Sequence, residues 1–213
     1  MEEVEKVSKA LQLVERYEYY LFRKAGGFIF INWGIIIPLF AFIALKAQQI
    51  ADVLGMSAKA FLLVASTMIW VVGIVITVYL DVSAMIVASR MRETPFHKHI
   101  PHMVAILLIW FISFFLINFV PKRFKAVSWL WAASCASILT YVVIRKVSAH
   151  GSYPELLFIG LILLVTSLPI TSVNDVELAQ IATLVTFTIS FVTGGLYSIK
   201  TASKVLIDSE LRF

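Results

Sequence analysis

The sequence predicts an all-α protein: a polytopic membrane bundle of about six transmembrane helices, arranged as three hairpins and preceded by a cytoplasmic amphipathic helix. Three observations carry this reading. The hydrophobic share of the 213 residues is 60% and the mean hydropathy is +0.91, above the usual apolar fraction of a soluble chain. The apolar residues gather into long uncharged runs, where a soluble core would break them with polar faces every turn or two. Before the first such run, the chain has a different periodicity.

Residues 1–24 carry five acids and five bases, so the start does not read as a secretory signal and the amino terminus is expected to be retained. Val4, Val7, Leu11, Val14, Tyr17 and Leu21 recur at steps of three and four, which places them on one stripe of a helix. Glu5 and Lys9 stand four apart with the acid first, the favourable order. The polar face is charge-balanced, so its attraction to anionic lipid is weak. The stripe needs another surface. It lies against this protein's own loops or the headgroup zone, or it docks a partner through Val7, Leu11, Val14 and Leu21. Gly26-Gly27 is expected to give a flexible exit into the first crossing.

Six uncharged runs follow, at 25–45, 60–80, 103–120, 126–144, 156–174 and 178–199. Each is close to the roughly 20 residues needed to cross about 30 Å of hydrocarbon. Gly55, Pro95, Pro101, Pro121, Gly151 and Pro154 stand at or beside the breaks, and no loop is long enough for a soluble domain. The transmembrane domain is thus expected at 25–204, with a short cytoplasmic tail at 205–213.

Lysine and arginine in short loops resist translocation, and their distribution sets orientation. With the amino terminus inside, the inner segments hold thirteen bases against Lys46, Lys59, Lys122, Arg123 and Lys125 outside. Both ends are therefore expected in the cytoplasm, in a cell membrane. The dissenting feature is Pro121-Lys122-Arg123-Phe124-Lys125, three bases in one short outer turn. Trp33, Trp129, Trp131, Tyr79 and Tyr197 fit interfacial belts. The pI near 9.4 reflects contact with the bilayer's anionic inner leaflet, not nucleic acid.

A charge inside a membrane helix costs about 2.5 to 3.5 kcal/mol even on the mild insertion scale. Asp81 is the one candidate read from the sequence. It shares a helix face with Ser66, Gly73, Thr77 and Ala84, and its ordinary explanation is an ion pair with Arg145 or Lys200. A proton or cation site is the sharper alternative. The fourth and sixth crossings share a pattern: Ser134, Ser137, Tyr141 and Arg145 on one stripe, and Ser190, Thr193, Tyr197 and Thr201 fifty-six residues later, extended outward by Thr183 and Thr186. Hydroxyl faces usually glue helices together. Lining a solute path, the candidate transport residues are Asp81, Thr77, Tyr141, Thr186, Ser190 and Thr193. Gly194-Gly195, Pro38 and Pro169 are candidate bend points, with Asn118 and Asn32 as partners for freed carbonyls.

His97, His99 and His102 cluster near Pro95 and Pro101, but no cysteine lies among them, and a solvated loop is the ordinary explanation. The lone Cys135 excludes an intramolecular disulfide. No phosphate loop, zinc helix or nucleophile elbow is present, and no cofactor or metal is implied. Catalysis is the least supported class. Two functions remain. One is transport, as a small permease or as the membrane subunit of an exporter with a separate ATPase, whose permeases this architecture resembles in outline. The other is a scaffold or accessory subunit, self-associating or docking a cytoplasmic partner through residues 2–24.

Overall fold

Long uncharged apolar runs leave the backbone one way to satisfy its polar groups in an apolar setting, by helix hydrogen bonds within each segment. The computed structural model describes residues 2–92, 100–121, 124–147 and 153–210, and among these it is helix and turn with no strand. The elements are α1 (Glu2–Leu45), α2 (Ala47–Leu54), α3 (Ala58–Arg92), α4 (Ile100–Phe115), extended by a 3-10 turn at Leu116–Phe119, α5 (Lys125–Val147), α6 (Pro154–Ile170) and α7 (Val176–Glu210).

Each apolar run forms the body of one of these helices, although the run at 156–174 outlasts α6, which ends at Ile170. Four helices are long and apolar enough to cross a membrane, namely α1, α3, α5 and α7. The other two apolar helices are shorter, Val104–Phe119 and Pro154–Ile170. The surface explains why the sequence lacks a polar face. Phe111, Val75, Leu63 and Val165 are all more than half exposed, as in helices whose outer surroundings are apolar.

One boundary differs from expectation. Gly26-Gly27 does not give a flexible exit after residues 2–24, because α1 runs unbroken from Glu2 to Leu45. Gly27 is instead a contact position: a Cβ there would lie 2.7 Å from the Gly195 carbonyl oxygen, and one on Gly195 would lie 2.5 Å from that of Gly27. The α1 and α7 backbones can approach this closely only because both residues lack a side chain. Farther along the same crossing, a Cβ on Gly34 would meet the Phe191 Cβ at 2.9 Å.

The helix order across the bundle follows from such contacts. α3 packs on α1, where Asn32 Nδ2 donates to the Gly73 carbonyl at 3.2 Å and the Trp33 and Trp70 rings sit 5.3 Å apart. α1 packs on α7, and α7 on α6 and α5. α4 covers α5, with Trp110 Nε1 donating to Thr140 Oγ1 at 3.2 Å. The core is filled by Phe30, Leu130, Ile159, Leu163, Phe187 and Phe191, the last two stacked at 4.3 Å. Between α1 and α3, α2 folds back and ends at Gly55, whose φ of 65° is the left-handed conformation that suits a helix C-cap. Asn118 donates to Phe115 O within its own helix, so neither asparagine serves a proline-freed carbonyl.

A buried ion pair at one end and an apolar cavity at the other

Two polar environments flank the α1/α7 crossing. At one end, Ser198 Oγ on α7 donates to the backbone oxygen of Arg23 at 3.0 Å, where α1 passes close. The Arg23 guanidinium then extends to α6, and its Nη2 donates to Glu155 Oε1 at 2.7 Å. Exposure is 7% for the arginine side chain and 1% for the carboxylate. Glu155 stands in the first turn of α6, directly after Pro154, a position where the helix dipole also favours an anion. Arg23 Nη1 donates to the Tyr19 hydroxyl one turn earlier, and the guanidinium lies 5.3 Å from that ring centroid.

The Tyr153 ring closes the cluster, in contact distance of where a Cβ on Gly26 would stand. Burial pushes its phenol pKa well up, with the charges of Asp81 and Glu155 adding to the effect. Asp81 belongs to the same level: Arg23 lies nine residues before Asn32 and Asp81 eight after Gly73, and these helices run antiparallel through the Asn32–Gly73 bond. Two buried atoms of the cluster, Arg23 Nε and Glu155 Oε2, have no hydrogen-bond partner. A half-satisfied buried pair is costly to keep.

The sequence pattern singles out Asp81 but not this pair, because Arg23 belongs to the segment at 2–24 and Glu155 stands one residue before the run at 156–174. A Pro-Glu start to an apolar helix was the available signal. The expected pairing of Asp81 with Arg145 or Lys200 is not formed among the described residues. Arg145 is exposed and donates to the Tyr141 hydroxyl at 3.5 Å.

The other candidate transport residues separate. Thr77 Oγ1 donates to Gly73 O at 2.9 Å, at the α1/α3 seam. Tyr141 packs partly buried against the core. Ser190 is buried and Thr186 half-buried, while Thr193 is exposed and donates to Ile189 O at 2.5 Å. The buried face of α7 instead runs through Ala179, Thr183, Phe187, Ser190, Phe191, Ser198 and Ala202. Of the docking stripe, Val7 and Leu11 are exposed and Val14 and Leu21 half-buried. His97 and His99 lie outside the described residues, as does the side chain of His102.

At the opposite end, α1, α5 and α7 enclose a cavity of about 270 Å³ lined by Ile37, Phe40, Ala41, Trp129, Thr183 and Phe187 among others. Lys125 and Gln180 stand on its lining as well. Phe187 lines its inner end, and Phe191, with Phe30 edge-on at 6.2 Å, stands one turn farther along α7 toward the glycine crossing. Comparison of the chain with protein-family models, curated proteins and solved structures finds no match.

Proposed function

We propose that the chain is a transport protein of the cell membrane, with α4 and α6 crossing the bilayer alongside the four long helices and both ends in the cytoplasm. The α4 segment with its 3-10 turn covers about 30 Å, the hydrocarbon thickness, and α6 about 25 Å, which modest thinning accommodates. The observation that carries the transport reading is the order of features along one helix pair. From one end of α1/α7 to the other come a cavity, an aromatic layer at Phe187 and Phe191, a glycine crossing, and a buried ion pair. In this reading the solute site is open toward the Lys125 end and sealed at the Arg23 end. Rocking about the Gly27–Gly195 contact, with the Arg23–Glu155 pair opening, exchanges the two. Asp81 and Tyr153 then sit where the inner gate parts.

Single-cysteine accessibility tests this without knowing the solute. In a Cys135→Ser background, Gln180→Cys should react with a membrane-impermeant maleimide from outside the cell, and Ser198→Cys should be protected from both sides. Adding Glu155→Gln should expose Ser198→Cys from the cytoplasm and slow labelling of Gln180→Cys. Labelling at both positions that Glu155→Gln leaves unchanged would defeat the gated-transport reading.

A second reading is favoured by one feature. Val4, Val7 and Leu11 are 74%, 60% and 60% exposed on a helix that continues past Arg23 for about 30 Å. Such a projecting stripe suits a scaffold that holds an ATPase subunit, another cytoplasmic partner, or a second copy. A partner that co-purifies with the full chain and is lost with Val7→Ser/Leu11→Ser supports it.

A further inference from the structure

Of the cavity's polar lining, Thr183 is the member that packing does not explain. Its side chain is 3% exposed and its hydroxyl has no hydrogen-bond partner. Most other helix hydroxyls here are satisfied by their own backbone, as Thr188 Oγ1 is by Leu184 O at 2.9 Å and Thr193 Oγ1 by Ile189 O. A threonine that forgoes this bond beside an apolar cavity points to an acceptor supplied from outside the chain. Along α7 it stands seven residues from the helix start at Val176, about 10 Å deep. Gln180 lies one turn nearer that end, and Lys125 begins α5 at the rim. No acidic side chain among the described residues pairs with Lys125.

We infer that this cavity holds one acyl chain of an anionic membrane phospholipid, whose phosphate sits on Lys125 and whose ester carbonyl accepts from the Thr183 hydroxyl. Three properties of the cavity commit it to that occupant. Its walls are alkyl and aromatic, and its volume lies just below the range of about 300 to 1,000 Å³ typical of pockets for drug-sized molecules, so it suits one narrow chain. Its polar groups are graded in depth as a phospholipid's are, with a cation at the rim, an amide next and a hydroxyl donor beneath. Its rim cation also ends the single outer turn that runs against the positive-inside distribution, an anomaly that an anionic headgroup accounts for. The neighbouring groove on the other flank of α1, about 310 Å³ and lined by Phe40, Ala44, Lys59, Leu62, Leu63 and Ser66, differs in the decisive respect. Its Ser66 hydroxyl already donates to Leu63 O at 3.1 Å, so no buried donor awaits a ligand there.

This inference rests on the chain lying in a bilayer in the orientation proposed above, and it makes the lipid the occupant of the cavity that the transport reading treats as its solute site. The test is native mass spectrometry of the full chain released from nanodiscs of equal phosphatidylglycerol and phosphatidylcholine. The wild type should retain one phosphatidylglycerol in preference to phosphatidylcholine by about fivefold, the factor that about 1 kcal/mol for one surface lysine gives at 1.4 kcal/mol per tenfold. Lys125→Glu should abolish the preference and Thr183→Val should lower total retention, whereas Lys59→Glu, at the other groove, should change neither. A wild type without preference, or one whose preference survives Lys125→Glu, overturns the proposal. So does equal loss in Lys59→Glu, which would make the effect one of general surface charge. Failure to enter nanodiscs at all would instead defeat the membrane reading, and this proposal with it.

Discussion

Arg23 and Glu155 meet across 132 positions of sequence, 2.7 Å apart and shielded from solvent, and their pair ties the first helix to the sixth. In a low-dielectric setting, a charge left without its partner is far more costly than a pair removed together. Glu155→Leu alone should therefore destabilise the purified protein by about 3 to 5 kcal/mol, while Arg23→Met combined with Glu155→Leu should recover most of the loss. Unfolding of the four proteins of this cycle in detergent measures the coupling. Additive single effects would mean that the pair is not a unit.

The glycine crossing should be less tolerant than any other glycine contact of α1. Gly195→Ala places a methyl 2.5 Å from a backbone oxygen, which cannot move as a side-chain tip can, and should cost about 1 to 3 kcal/mol. Gly73→Ala meets only the ring of Trp33 and the Ile36 methyl at 3.3 Å, and should cost less. The order of the two midpoints in thermal unfolding checks the assignment, and a reversed order contradicts it.

These two features also show what the sequence could and could not disclose. The apolar runs were legible because long uncharged segments form helices; four runs lie in helices long enough to cross a membrane, and those at 103–120 and 156–174 give shorter ones. Helix faces were not, because in lipid both the outer and inner sides of a helix are apolar and periodicity no longer marks the core. Hence the stripe through Ser190, Thr193 and Tyr197 was read as one surface, although Ser190 is buried and the other two face outward. Glycine pairs have two physical uses, freedom of the backbone and closeness of approach. At Gly26-Gly27 and Gly194-Gly195 the sequence suggested the first, and the partner helix that makes it the second lies some 170 residues away. The buried ion pair was hidden for a similar reason, since each charge sits at the edge of its run and is buried only by the neighbouring helix.

Hydroxyls on α7 should divide by what they reach. Ser198→Ala removes a buried bond to another helix and should cost about 0.6 kcal/mol, the average for such bonds in membrane bundles. Thr193→Ala removes only a bond to its own exposed helix turn and should be close to neutral. Equal effects in unfolding measurements would argue against the α1/α7 register described above.

Phe187 joins the core to the cavity, and its two roles can be separated by residue size. Its ring is 1% exposed, stacked on Phe191 at 4.3 Å, and the residue also lines the cavity. Phe187→Ala should cost about 3 to 5 kcal/mol, since the space left cannot collapse while the glycine crossing holds α1 and α7 together. Phe187→Leu keeps most of the volume and should cost less than about 1.5 kcal/mol. If the aromatic layer also separates the cavity from the ion-pair end, Phe187→Ala at a permissive temperature should make Ser198→Cys reactive toward a maleimide applied from outside the cell, whereas Phe187→Leu should not. Thermal unfolding and labelling of the same two variants decide the matter: a large stability loss with no change in labelling would leave Phe187 a packing residue and place the barrier elsewhere along α1 and α7.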